Sequence, residues 1–135
     1  MALVQWKSEL DTGIETIDAQ HRRLVELVNL LHRDVVGNES RAIVARVLTE
    51  LMSYANTHFA EEERLMQECN DPGYEVHRAE HDKFAAKLRS FLQRLVDGRP
   101  NLQLSMLIAL RDWFVDHVSR IDLAYVPYFR DLKSA

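Results

Sequence analysis

Four stretches of this chain repeat apolar residues every three or four positions, and each carries histidine on the apolar stripe itself. The first stripe reads Ile17, His21, Leu24, Val28, Leu31, Val35, in steps of 4, 3, 4, 3 and 4. The second is Val47, Leu51, Tyr54, His58, Glu62, Leu65. The third is His77, His81, Phe84, Leu88, Phe91, Leu95, and the fourth Met106, Leu110, Trp113, His117. A period of about 3.6 is that of a helix with one face turned to a core.

Punctuation between the stripes sets the topology. The first helix is expected to start at Asp18 as N-cap and to stop near Gly37-Asn38. The second runs from about Ser40 to about Glu68, and Asp71-Pro72-Gly73 marks the turn into the third. The third ends at Asp97-Gly98-Arg99-Pro100, and Asn101 is expected to cap the fourth. Connections this short join antiparallel neighbours. The expectation is an all-α, up-down-up-down four-helix bundle with an N-terminal arm and a short C-terminal tail, one domain over residues 1–135.

Composition agrees and excludes several classes. Hydrophobic residues make up 47% of the chain, and only four glycines and three prolines interrupt them. The net charge of −4, with no basic stripe interleaved with aromatics, argues against a nucleic-acid surface. Cys69 is the only cysteine, so no intrachain disulfide can form, which fits a reducing cytoplasm. Met1 to Leu10 has no apolar core of a signal peptide, and no apolar run approaches the ~20 residues of a membrane span. The expected location is cytoplasmic.

The histidines also lie at matching heights. His21 is near the start of the first helix, His58 late in the second, His77 early in the third and His117 at the end of the fourth. With alternating helix directions, all four positions fall at one end of the bundle. His58 and Glu62, like His77 and His81, are spaced i, i+4 and project from one face. Asp122 follows His117 by five residues, just past an expected helix end where the chain can curl back. Glu61 and Glu63 point about 100° away from Glu62 and are read as solvated.

A single core histidine is usually satisfied by a hydrogen bond. Five at one level with two carboxylates are different, because each buried without a partner would cost roughly 1–3 kcal/mol. A metal centre satisfies them together. The set lacks thiolate, which disfavours structural zinc, and is too rich in nitrogen for magnesium or calcium. Pairs of iron, manganese or zinc stay open. Two octahedral ions offer about 12 places, and five histidines, two bridging carboxylates and one solvent-derived bridge leave about one, enough for a small diatomic ligand end-on.

Trp6, Gly13-Ile14, Ile17-Asp18-Ala19-Gln20-His21, His58-Phe59-Ala60-Glu61-Glu62-Glu63, His77-Arg78-Ala79-Glu80-His81, and Trp113 leading to His117 and Asp122 form an ordered pattern over nearly the whole chain. That pattern resembles the hemerythrin family in its single-domain bacterial branch. The resemblance implies a non-haem, oxo- or hydroxo-bridged di-iron centre that binds dioxygen reversibly for storage, transport or delivery, without enzymatic turnover. It implies His77, His81 and His117 on one iron, His21 and His58 on the other, and Glu62 and Asp122 bridging. Dioxygen and an oxygen-consuming recipient protein are then the expected partners, with the protein a monomer or a homo-oligomer.

Leu24, Phe59, Trp113, Phe114 and Ile121 are candidates for the wall of a dioxygen pocket that keeps the site dry. Trp113 and Tyr54 are expected to pack beneath the site and to offer hydrogen bonds to its ligands. The competing functions are oxygen, redox or nitric-oxide sensing, and di-iron oxidase or peroxidase activity. Ferritin-like oxygen-activating sites use carboxylate-rich sets with Glu-x-x-His pairs. The histidine-rich pairs here favour binding over oxidation. No signalling module is expected within these residues, so a sensor would act through a separate partner. His32, beside the first stripe, is read as surface, and Cys69 as a bystander near a loop.

Overall fold

The computed structural model describes residues 3–98 and 104–127. Four α-helices account for most of them: α1 (Glu15–Val36), α2 (Arg41–Glu68), α3 (Tyr74–Val96) and α4 (Leu104–Asp116). There is no strand among the described residues. The helices form the antiparallel four-helix bundle that the stripes require. α1 packs on α2 and α4, and α2 on α3, while ring contacts from Phe84 to Trp113 join α3 to α4. A short 3₁₀ turn, Ser8–Leu10, belongs to the N-terminal arm. No helix of the described residues is long and apolar enough to cross a membrane.

The helix ends follow local chemistry, with one departure from expectation. α2 starts where expected, and Ser40 caps it, its hydroxyl accepting from the Ile43 N–H. Asp18, however, does not cap α1, which already starts at Glu15. Its buried carboxylate reaches back to accept from the Thr12 N–H (2.8 Å), the Thr12 hydroxyl (2.7 Å) and the Gly13 N–H (3.1 Å). It thereby ties the arm to the bundle. α1 stops at Gly37-Asn38 as expected, with Asn38 in the left-handed region at φ 55°. The Glu39 N–H then closes onto the Asp34 carbonyl, and Asn70 plays the same part after α2. Asn101, Arg99 and Pro100 lie outside the described residues.

Two apolar clusters position the site. The large one fills the bundle and includes Leu24, Val28, Leu31, Leu48, Leu51, Phe84, Leu88, Leu107 and Leu110. The small one joins Ile14, Ile17, Met66 and Val126. Ile17, Met66 and Val126 each stand four residues from a polar core position (His21, Glu62 and Asp122), one turn nearer the bundle end. The polar layer is therefore enclosed by apolar residues on both sides.

Candidate metal centre

His21, His58, Glu62, His77, His81, His117 and Asp122 are all buried, none more than 3% exposed. α1 supplies His21, α2 supplies His58 and Glu62, and α3 supplies His77 and His81. The last two come from a different local geometry than expected. After α4 the chain does not leave the helix; it widens into a π-helical turn, His117–Ile121, followed by a 3₁₀ turn, Asp122–Tyr125. The Asp122 N–H donates to the His117 carbonyl five residues back. A spacing of five in an α-helix would separate the side chains by about 140° around the axis. The i to i+5 bond removes most of that angle and turns Asp122 toward the histidines.

The five imidazoles converge on the two carboxylates. Asp122 Oδ1 lies 2.7 Å from His77 Nε2 and 2.9 Å from His117 Nε2, and Asp122 Oδ2 lies 3.0 Å from His21 Nε2. Glu62 Oε1 lies 2.8 Å from His58 Nε2 and 3.4 Å from His81 Nε2. Glu62, Asp122, His77, His81 and His117 each offer a donor atom within 4.8 Å of the others, and Glu62, Asp122, His21 and His58 do the same. The two groups share both carboxylates and differ in their histidine count.

This donor set fits a pair of cations. Nε2 of His21, His81 and His117 and both Asp122 oxygens are buried without making a hydrogen bond. Apart from ion-pair contacts within the layer, these atoms have no hydrogen-bond partner, and buried polar atoms seldom stay so. Adjacent donors about 2.1 Å from one ion stand about 3 Å apart, the separation seen here. The carboxylates and imidazoles also polarise one another. Burial pushes the His21 and His81 pKa values down, but the adjoining Asp122 and Glu62 carboxylates prevail and both are raised. Burial and the nearby Asp122 charge push Glu62 up, yet His58 and His81 hold its carboxyl well below the ordinary range. Asp122 is also pushed up by burial and held well below by His117, His21 and His77.

Two further side chains complete the layer, one expected to be solvated and the other given no role of its own from the sequence. Glu63 is not simply solvated: its carboxylate sits 2.9 Å from His81 Nδ1. Gln20 Oε1 sits 2.6 Å from His58 Nδ1. Their signal was position, since each neighbours a stripe residue on the flank that faces the next helix.

Aromatic rings brace the histidines. Phe59 stacks on His81 at 3.9 Å, and Trp113 on His117 at 4.6 Å. Phe114 meets His21 edge-on at 6.2 Å, and the Trp6 ring lies 6.4 Å from His21. Leu24 is buried in the large cluster, and the Ile121 side chain lies outside the described residues. The expectation that Trp113 and Tyr54 hydrogen-bond the ligands is not met. The Trp113 indole N–H is buried with no hydrogen-bond partner. Tyr54 packs on the apolar core, and among the described residues no hydrogen bond joins it to the cluster. His32 is half-buried away from the cluster, and the Cys69 thiol donates to the Met66 carbonyl at the end of α2.

A four-helix bundle that gathers imidazoles and carboxylates at one buried end defines a cation-binding bundle protein. Residues 12–129 match the family model described as hemerythrin HHE cation binding domain. The bacteriohemerythrin of Pseudomonas paraeruginosa is 38% identical over 137 residues, spanning 99% of this chain and 86% of that one. The bacteriohemerythrin of Methylococcus capsulatus is 30% identical, spanning 94% and 97%. A crystal structure of wild-type hemerythrin superposes with a TM-score of 0.88 at 29% identity, covering 95% of this chain and 98% of the other. The chain belongs to the hemerythrin family.

Proposed function

We propose that the seven buried residues hold two iron ions and that the protein binds dioxygen reversibly, for storage or delivery rather than turnover. One observation carries this reading: the residues fall into two overlapping donor groups that share Glu62 and Asp122 but hold three histidines and two. On this reading His77, His81 and His117 serve one ion, His21 and His58 the other, and the carboxylates bridge. The iron pair would supply the electrons and the open coordination place that a small diatomic ligand needs. The group with fewer histidines is where that place belongs.

The chain's own residues would do the rest. Glu62 and Asp122 set the separation of the two ions, and both are anchored by histidines on two or more helices. Phe114, Leu24 and Phe59 keep water from the layer, while Ile17, Met66 and Val126 close its outer side. A dry site disfavours proton delivery, which protects a reversibly bound ligand from side reactions. The bacteriohemerythrin relatives and the family match support the same reading. A cytoplasmic, single-domain carrier serving an oxygen-consuming recipient is the physiological form we propose.

The test is to purify the protein, count its metals, reduce it without air and record absorption spectra through cycles of air and argon. Two irons and a ligand-to-iron charge-transfer band that comes and goes are the expected result. A one-way change to a stable oxidised spectrum would replace binding with redox sensing or oxidase chemistry. Absence of iron would sink the assignment.

A further inference from the structure

His81 and His58, from different donor groups, each turn the second ring nitrogen to a side chain, and the two are backed by different chemistry. His81, in the three-histidine group, places Nδ1 2.9 Å from the Glu63 carboxylate. His58, in the two-histidine group, places Nδ1 2.6 Å from the Gln20 side-chain oxygen. By contrast, Nδ1 of His21 and of His117 makes no hydrogen bond. A proton on Nδ1 leaves the Nε2 lone pair free, and in both backed histidines Nε2 faces the same atom, Glu62 Oε1. The two rings thus flank one shared carboxylate oxygen, one with a full negative charge behind it and one with a neutral amide.

That difference is held in place. Glu63 and Glu62 are consecutive on α2, so the residue that bridges and the residue that backs His81 move as one unit. Gln20 and His21 are consecutive on α1, which ties the backing of His58 to another histidine of its own group. Phe59 stacks on the face of the buried His81 ring and holds its edge toward the partly exposed Glu63 carboxylate. A hydrogen bond to a carboxylate is roughly twice as strong as one to a neutral acceptor. It shifts electron density toward the ring and makes the imidazole a stronger donor.

We propose that Glu63 and Gln20 are positioning residues that make the two halves of the centre electronically unequal. Glu63 strengthens His81 and favours the higher charge on the three-histidine side. Gln20 orients His58 without adding charge, so the two-histidine side holds its ion more weakly and favours the lower charge. The inference rests on the two-iron reading, and its test separates the two.

The full chain is stripped of metal and titrated with cobalt(II) against a chromophoric chelator, comparing wild type, Glu63→Gln and Gln20→Glu. Wild type is expected to bind two ions with unequal affinity. Glu63→Gln is expected to weaken one ion about 10–100-fold and leave the other unchanged, the range typical for loss of a ligand's supporting partner. Gln20→Glu is expected to tighten the weaker ion and narrow the gap. In the iron-loaded protein the reduction potential should rise with Glu63→Gln and fall with Gln20→Glu. Two ions bound with neither variant altering them, both ions altered alike, or potentials shifting in one direction would overturn the proposal and leave the metal centre standing. If Glu63→Gln does not fold, Gln20→Glu decides alone, because it adds a charge and removes no contact. Failure of wild type to bind either cobalt or iron would end both readings.

Discussion

Phe84 is the side chain on which the three-histidine half of the layer leans. It is 1% exposed, lies 4.3 Å from the Trp113 ring at 13° and meets Phe59 edge-on at 5.7 Å. Those two rings stack in turn on His117 and His81. Replacing Phe84 by leucine keeps an apolar side chain of similar bulk but removes both aromatic pairs. Each pair contributes about 0.5–1.5 kcal/mol beyond burial, so the loss is about 1–3 kcal/mol. At this chain length about 1 kcal/mol moves the midpoint by about 4 °C, giving a drop of roughly 4–12 °C in the metal-free protein. Far-UV circular dichroism of the stripped protein measures it. A double-mutant cycle with Trp113→Leu should be non-additive by at least about 0.5 kcal/mol, because the two rings share a face. A midpoint within about 2 °C of wild type, or strict additivity with Trp113→Leu, would refute the bracing argument.

Three further outcomes follow from the same contacts. Asp18→Ala removes the acceptor for three donors at Thr12 and Gly13; hydrogen bonds to a charged group contribute about 1.5–3 kcal/mol each, so stability should fall by at least about 2 kcal/mol. Hydrogen exchange should accelerate at residues 12 and 13 before the rest of the bundle. Ser40→Ala, at the start of α2, should cost about 1 kcal/mol in chemical denaturation and leave metal content unchanged. In the metal-free protein, the raised pKa values of His21 and His81 stabilise the fold fully below their unfolded value of 6.5, and that gain disappears as pH rises through the folded values. The depressed Glu62 and Asp122 contribute above their unfolded values of 4.5 and 3.8 and are lost only as pH falls through their far lower folded values. The unfolding midpoint of the stripped protein should therefore decline from pH 6 to alkaline pH, while metal affinity, which needs neutral imidazoles, should increase over the same interval. Parallel trends in the two titrations would contradict the assignment of these histidines to one shared layer.

What was legible in the sequence was whatever one helix face could express. His21, His58, Glu62, His77 and His81 sit on apolar stripes, and alternating helix direction was enough to bring them to one level. Glu63 was not legible, because a helical wheel of α2 alone places it about 100° from Glu62 and says nothing of what α3 brings to that flank. In the bundle that flank meets His81. Gln20 was missed for the same reason, since its partner His58 belongs to the neighbouring helix. Polar residues beside a buried donor, on the edge of the seam, are the signal that a wheel read one helix at a time discards. Asp18 was misplaced by a related shortcut: its residue type suits a cap, but its burial inside α1 turns it into an anchor for the arm.

Asp122 shows where periodic reasoning stops and geometry takes over. The sequence places it five residues after His117, a spacing that no α-helix can use to point both side chains at one centre. One solution is to end the helix and fold the chain back, which would expose backbone groups beside a layer that must stay dry. The chain instead keeps its hydrogen bonds and widens the turn at His117–Ile121, so that Asp122 remains 1% exposed while touching three histidines from α1, α3 and the π-helical turn itself. A π-helical turn is a costly local choice, found mostly at functional sites. Its presence between two of the seven converging residues shows that the backbone of this segment is shaped by the need to bring Asp122 to the layer, not by the propensities of His117-Val118-Ser119-Arg120-Ile121 themselves.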